Sequence, residues 1–377
     1  MAYTFYSPFD YDRFRFEALL ACGSFGSVYR AVDTYRNQSV AIKVQKKPAA
    51  GSHVAQRQQE ETCIHAALYG HPNIVSLWGA HETPGGIYHH MDLSDGIDLH
   101  DALKRKIFAD RPGLIKRGFG QIISALAYMH GKRFYHRDIK PENILLSADL
   151  RTWRLCDFGL ATPDDWTRGK GAGSGFYRSP ESLVGEYDNG PADVWSLGMT
   201  LLYLVTGRKP WAKATPEDKL YNLFLESGPQ FFLVLGDMTA QFFQFIRRFF
   251  ELDPTKRITL REAARELKAL SLDAFRPGKN IDYDAIPAYR VPPSPASAAT
   301  LEVSGEDEMS SSLPMLSVIS SSTGSTEPCP RTPKSAPYCL PPDRKQYTSL
   351  NDASRPRLCT ESVYPGSSSS HFSCGFH

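Results

Sequence analysis

Long hydrophobic runs are missing from these 377 residues, and so are paired cysteines and an excess of charge of one sign. The best apolar stretch, Leu197 to Val205, is broken by Gly198 and Thr200. It falls well short of the roughly 18 residues a membrane-spanning helix requires. The opening residues, MAYTFYSPFDYDRF, carry no charged-then-apolar leader pattern. A formal net charge of +2 gives no electrostatic reason to expect nucleic acid or an anionic membrane as partner. The seven cysteines form no CxxC pair, and four of them (Cys329, Cys339, Cys359, Cys374) lie in a polar tail. Such usage points to reduced thiols rather than disulfides or zinc. These absences lead us to expect a protein that stays inside the cell, in cytoplasm, nucleus or both.

What is present divides at about Leu272. Before it, apolar periodic segments alternate with Gly, Pro, Asn and Asp punctuation. Beyond Pro277 come Ser-, Pro- and Thr-rich segments such as VPPSPASAAT and PGSSSSHFSC. They hold too little apolar surface to offset chain entropy, so 280–377 is expected to be disordered. From Phe14 to Met91 the chain offers strand-like runs (FRFEALLA, SVYRAV, SVAIKVQ, IVSLWGA and GIYHHMD) and one helical stretch, about Val54 to Leu68. After Asp98 it turns helical. Ile115, Phe119, Ile122, Ile123 and Leu126 form one apolar stripe, ended at Gly131, and Asp193 to Thr206 is apolar nearly all round, ended at Gly207. A mainly antiparallel sheet followed by a helical bundle predicts an α+β, bilobal fold with a ligand crevice between the lobes.

Three clusters carry chemistry. Gly23 and Gly26, in the hairpin Ala21-Cys22-Gly23-Ser24-Phe25-Gly26-Ser27-Val28, would let backbone amides approach phosphate oxygens, although two glycines in a hairpin ordinarily mean only a tight turn. One strand later, Lys43 alternates onto the face of Ala41, so its ammonium points inward and needs an anionic partner. Glu60 and Glu61, each one turn from Ile64, both qualify. The third cluster runs from Tyr135 through His136, Arg137, Asp138, Ile139, Lys140, Pro141 and Glu142 to Asn143, with Asp157-Phe158-Gly159 one strand further on. Asp157 and Asn143 offer oxygen ligands to Mg²⁺, a hard cation that shares its shell with phosphates. Asp138 stays free to accept a hydroxyl proton, and Lys140 can neutralise charge growing on a transferred group.

Together these motifs resemble those of eukaryotic protein kinases, over about residues 10–272, with an N-lobe to about 93 and a C-lobe from about 94. The resemblance implies ATP and Mg²⁺ as cofactors and assigns roles. Ala21 to Val28 would cover the phosphates, and Lys43 would hold them with Glu61 as its ion-pair partner. Asp138 would be the base, with Asn143 and Asp157 as metal ligands. Ala41 belongs to the ATP-binding strand, Met91 falls at the gatekeeper position, Asp92 to Ser94 at the adenine hinge, and Asp98 near the ribose and basic substrate side chains. Asp193 matches the aspartate that anchors the catalytic loop. Arg257 matches the arginine that pairs with Glu181 of Ser179-Pro180-Glu181. The sequence departs from the pattern at Ala21, where the family places its first loop glycine, and at Ser179, where it usually has alanine.

Lys140 and the run Gly173-Ser174-Gly175-Phe176-Tyr177 resemble the Ser/Thr rather than the tyrosine branch, so the expected partners are protein substrates with Ser or Thr acceptors. Within that branch, Gly70-His71-Pro72-Asn73-Ile74-Val75 and Asp157 to Thr162 are similar to fungal nutrient-response and meiosis-control kinases. Arg137 is of the type that docks a phosphate on the segment Asp157 to Glu181. An upstream kinase acting there is thus among the possible partners, with Thr162, Thr167 and Ser174 as candidate acceptors and Arg57 as a second donor. Ser294-Pro295 and Thr332-Pro333 resemble proline-directed sites. The alternative reading is a pseudokinase scaffold, against which stand Lys43, Asp138, Asn143 and Asp157, all present. His89 and His90 are expected as ordinary strand residues on opposite faces.

Overall fold

The computed structural model describes residues 12–276, apart from Ser24, Phe25, Lys170, Ala172, Gly236 and Asp237. The expected tail, 280–377, lies outside the described residues, as does the tip of the glycine hairpin. Five antiparallel strands build the N-terminal lobe: β1 (Phe14–Gly23), β2 (Gly26–Asp33), β3 (Gln38–Gln45), β4 (Leu77–Thr83) and β5 (Gly86–Asp92), in the order β1-β2-β3-β5-β4. Helix α1 (His53–Ala67) enters between β3 and β4 and is capped by Ser52, whose hydroxyl accepts from the Ala55 amide. Phe14, Ala31, Val40, Ile42 and Tyr88 make this lobe's small core.

One strand begins later than its apolar pattern suggested. IVSLWGA starts at Ile74, but β4 starts at Leu77. The preceding residues pair with the other lobe: Val75 N–H donates to Leu155 O at 3.0 Å, and Leu155 N–H to Asn73 O at 2.9 Å. Their backbone groups are satisfied by a tertiary partner that periodicity cannot reveal.

The C-terminal lobe comprises α2 (Leu99–Lys104), α3 (Pro112–Gly131), β6 (Ile144–Leu146), β7 (Trp153–Leu155), β8 (Trp166–Thr167), α4 (Glu181–Val184), β9 (Tyr187–Asp188), α5 (Asn189–Thr206), α6 (Lys219–Ser227), α7 (Ala240–Ile246) and α8 (Leu260–Ala269). The predicted stripe of α3 is buried at all five positions. Two glycines let helices lie flat on aromatic rings. A Cβ on Gly118 would sit 2.0 Å from the Trp153 indole, and one on Gly198 2.4 Å from Phe249 Cβ. Helix α5 is buried on almost every side and closes at Gly207, in the left-handed region at φ +67°. It starts four residues before the apolar run, because Asp188 caps it by accepting from Gly190 N–H at 2.9 Å. Around α5, the rings of Trp195, Trp211, Phe224, Phe232 and Phe250 pack together in tilted and edge-on pairs. Ile64 of α1 and Leu68, just past its end, belong to the same continuous core, together with Phe158. That core therefore reaches from one lobe into the other at the level of the crevice.

Candidate active site

Lys43 lies on β3 opposite Val28 and His89, with its ammonium inside the sheet–helix interface. Its Nζ stands 2.6 Å from Glu61 Oε1 and 3.0 Å from Asp157 Oδ1, so one cation joins helix α1 to the loop after β7. Of the two glutamates the sequence left open, Glu61 is 5% exposed. Glu60 instead accepts from Gln56 on the solvent side. Gln45, two residues along the same strand face, donates to the other Glu61 oxygen at 2.9 Å. Strand alternation from Lys43 was the signal that could have found Gln45. Burial alone would lower the Lys43 pKa, but the Glu61 and Asp157 carboxylates outweigh it and raise it. Burial would likewise raise the Asp157 carboxyl, and the Lys43 ammonium pulls it below its ordinary value. Both stay charged at neutral pH.

Behind the crevice, Asp193 at the start of the apolar part of α5 organises the loop before β6. Its carboxylate accepts from His136 N–H at 2.8 Å, Arg137 N–H at 2.7 Å and the His130 ring at 3.0 Å. Burial would raise its pKa; these donors, His130 first, hold it down. Arg137 adopts φ +66° there, a conformation costly for a non-glycine residue and fixed by those bonds. The loop delivers Asp138 into the crevice, 7% exposed. Asp138 Oδ2 accepts from Lys140 Nζ at 2.6 Å and from Asn143 Nδ2 at 3.1 Å. Ser174 donates to Asp138 Oδ1 through both its amide and its hydroxyl, each at 3.0 Å. Lys140 also reaches Ser174 Oγ, at 2.9 Å. The turn needs glycine at 173: at φ +107°, an added Cβ would meet Arg137 O at 2.5 Å.

The remaining expected nucleotide residues line up along the hairpin and the lobe junction. Ala21 pairs with Val28, Cys22 with Ser27 and Gly23 with Gly26, while Ser24 and Phe25 lie outside the described residues. Gly26 lies at φ +121°, and an added Cβ would meet Val44 O at 2.4 Å, so only glycine fits the base of this hairpin. Met91 faces Ala41 on one side and Leu77 on the other. The Asp92 side chain turns away from the crevice, accepting from Trp78 Nε1 at 2.7 Å and Ser76 N–H at 3.2 Å. Ser94 Oγ donates to Leu146 O at 2.9 Å. Asp98 caps α2 through the Asp101 amide at 2.7 Å, which ties down part of the carboxylate expected near the ribose. Burial pushes the Cys156 thiol up, which leaves it a poor nucleophile. His89 bonds Thr62 of α1 at 2.7 Å, whereas His90 packs edge-on against Phe14 on the opposite face.

The candidate phosphate acceptors are already engaged. Thr162 is 5% exposed, Thr167 Oγ1 donates to Asn189 Oδ1 at 2.8 Å, and Ser174 is held as described. The segment is pinned instead by Asp165, which accepts from Tyr135 OH at 2.7 Å and from Arg133. Sequence reasoning missed this pair, because its members are far apart in the chain. Arg57 is exposed on α1, and Arg137 Nε is buried without a hydrogen-bond partner beside Arg178. The segment's far end is fixed by Arg257, which donates to both Glu181 oxygens at 2.6 and 3.2 Å.

The donor set suits a magnesium–triphosphate ligand. Asn143 Nδ2 is committed to Asp138, which leaves its amide oxygen for a cation, and Asp157 adds a carboxylate. Among the described residues no group of three His, Cys, Asp or Glu is arranged to hold a metal ion by itself. A metal here would thus complete its shell with phosphate oxygen and water, as a hard cation does.

The protein kinase domain family matches residues 14–267, and the chain belongs to that family. It is 32% identical over 276 residues to a negative regulator of sexual conjugation and meiosis from Schizosaccharomyces pombe, covering 67% of this chain and 58% of that protein. It is 30% identical over 291 residues to the serine/threonine-protein kinase KSP1 of Saccharomyces cerevisiae, covering 74% of this chain and 28% of that one. It is 32% identical over 252 residues to the human SNF-related serine/threonine-protein kinase, covering 64% and 32%. The chain thus spans little more than half the length of the first of these relatives and about a third or less of the others.

Proposed function

We propose that this chain transfers the γ-phosphoryl group of ATP to Ser or Thr hydroxyls of proteins, through a domain spanning about residues 10–272. The observation that carries the reading is the Lys43 bridge at 2.6 Å to Glu61 and 3.0 Å to Asp157. In this reading Lys43 binds the α- and β-phosphates, with Glu61 and Gln45 fixing its position. The hairpin from Ala21 to Val28 covers the triphosphate with backbone amides, and the main chain from Met91 to Ser94 hydrogen-bonds the adenine. Asn143 and Asp157 would hold Mg²⁺, which when bound supplies charge neutralisation on the triphosphate.

Asp138 acts on the acceptor. Its two carboxylate oxygens offer about four acceptor positions, and Ser174, Lys140 and Asn143 take all of them. A substrate hydroxyl must displace one donor. Ser174 Oγ is the one that can yield, because it keeps its contact with Lys140 Nζ. The incoming hydroxyl then gives its proton to Asp138 and is aimed in line, while Lys140 faces the charge that grows on the transferred group. Substrates are intracellular proteins in this reading, and the tail beyond 280 carries regulatory sites. An upstream kinase is unnecessary for ordering the segment around Thr167, whose hydroxyl already bonds Asn189.

The test is incubation with Mg²⁺, labelled ATP and a degenerate Ser/Thr peptide library, beside an Asp138→Asn variant. Loss of the base should lower kcat about 10²- to 10⁴-fold. Equal labelling by both proteins would trace the signal to a contaminant and remove the assignment.

A further inference from the structure

The turn that carries Ser174 also carries an aromatic shelf. Tyr177 N–H donates to Ser174 O at 3.0 Å, so residues 174–177 close a tight turn whose ends lie within about 7 Å. Ser174 touches Asp138, so Phe176 sits about two residue-lengths of extended chain from the carboxylate that receives the substrate hydroxyl. The Phe176 ring packs edge-on against Tyr177 and Tyr203, at centroid separations of 4.6 and 6.5 Å. Over this shelf lies Lys209, just past the end of α5. Its Nζ is 4.9 Å from the Phe176 centroid and 5.5 Å from that of Tyr203.

Lys209 is exposed and makes no ion pair among the described residues. Glu142, whose charge is felt at Tyr177, lies 3.6 Å from His100 Nδ1. Arg208, the preceding residue, is also exposed and adds a second positive charge next to Lys209. The ring faces hold the ammonium on one side and leave donors for an incoming group on the other. A lysine already held in place also loses less side-chain freedom when an anion arrives.

We propose that Lys209, held on the Phe176–Tyr203 shelf, is a specificity-determining residue that selects substrates bearing an anionic side chain within about two residues of the acceptor hydroxyl. The inference rests on the kinase reading and adds a substrate class to it. A carboxylate and a phosphorylated side chain offer Lys209 the same chemistry, so the peptides must separate them.

The experiment is a positional scan with the full chain and Mg-ATP. Each position flanking the acceptor is varied among Ala, Lys, Glu and phosphoserine, and each rate is divided by the same variant's rate on the Ala peptide. In the wild type, Glu or phosphoserine at one flanking position should exceed Lys by about fivefold in kcat/KM, the scale of a surface ion pair, with the difference in KM. The stronger of the two anions identifies the source. Lys209→Ala should bring the ratio below about twofold, Lys209→Arg should keep it, and Lys209→Glu should reverse it in favour of Lys. A wild-type profile without anionic preference overturns the inference, as does a preference that survives Lys209→Ala or resides in kcat alone. In those outcomes, labelling that still depends on Asp138 leaves the kinase reading standing; no labelling of any peptide removes both.

Discussion

In the C-terminal lobe, Asp193 is 1% exposed and holds the loop that carries Asp138 by accepting from two backbone amides and a histidine. In the N-terminal lobe, Lys43 is 8% exposed and holds Glu61 and Asp157 together by charge. The first arrangement is built into a helix buried on nearly every side within one large aromatic core. The second spans a small core of five residues and a helix that borders solvent. The C-terminal lobe thus holds Asp138 and Asn143 on a buried floor. The N-terminal lobe positions the Lys43 cation through an ion pair with a helix that borders solvent.

Removing each hub should expose that contrast. Asp193→Ala leaves two buried amides and His130 without their acceptor, and should cost about 4 kcal/mol in urea unfolding, along with the activity. A loss under 1 kcal/mol would show the loop to be held by something else. Lys43→Met should cost less in stability, about 1–2 kcal/mol, because Gln45 still donates to Glu61 and the Asp157 side chain is about a third exposed. Phosphoryl transfer should nonetheless fall at least about 10²-fold. Equal destabilisation by the two variants would erase the distinction between the buried floor and the ion pair with a solvent-bordering helix.

Acid should separate the lobes next. His65, His89 and His90 all belong to the N-terminal lobe, and burial foremost pulls their pKa values from 6.5 down to about 4, 3 and 4. Unfolded, they take up protons as pH falls below 6.5; folded, they do not until about pH 4. The unfolded state therefore binds more protons in that window, and stability is lost as pH falls through it, by about 1.4 kcal/mol per pH unit for each histidine. The carboxylates of Asp157 and Asp193, both held below 3.8, titrate only beneath it. Hydrogen exchange corrected for intrinsic rates should show β3 and β5 losing protection before α5 between pH 6.5 and 4.5. Parallel loss would refute the assignment to the histidines. The smallest effect is expected at Thr259→Ala, which removes the capping box of α8 and should cost about 1 kcal/mol without touching either hub.

Much of the site was legible because its motifs are local. His136 to Asn143 and Asp157 to Gly159 act as short strings whose spacing reflects one loop and one turn. Glu61 could not be separated from Glu60, since both lie one turn from Ile64 and only the packing of α1 against β3 distinguishes them. Asp165 with Tyr135, and Asn189 with Thr167, were invisible because no local period links residues so far apart. The start of β4 was misread because Ile74 and Val75 are apolar enough for a strand but take Leu155 as their partner.

The sequence by itself determined the α+β order of elements, the buried all-round helix and the identity of the groups available for chemistry, because hydrophobic period and motif spacing are properties of the chain. Tertiary structure decided which glutamate meets Lys43, how Asp193 bends the loop that presents Asp138, and that Lys209 comes to rest over two rings. Those outcomes depend on distances between segments far apart in sequence, and such distances exist only once the cores have packed.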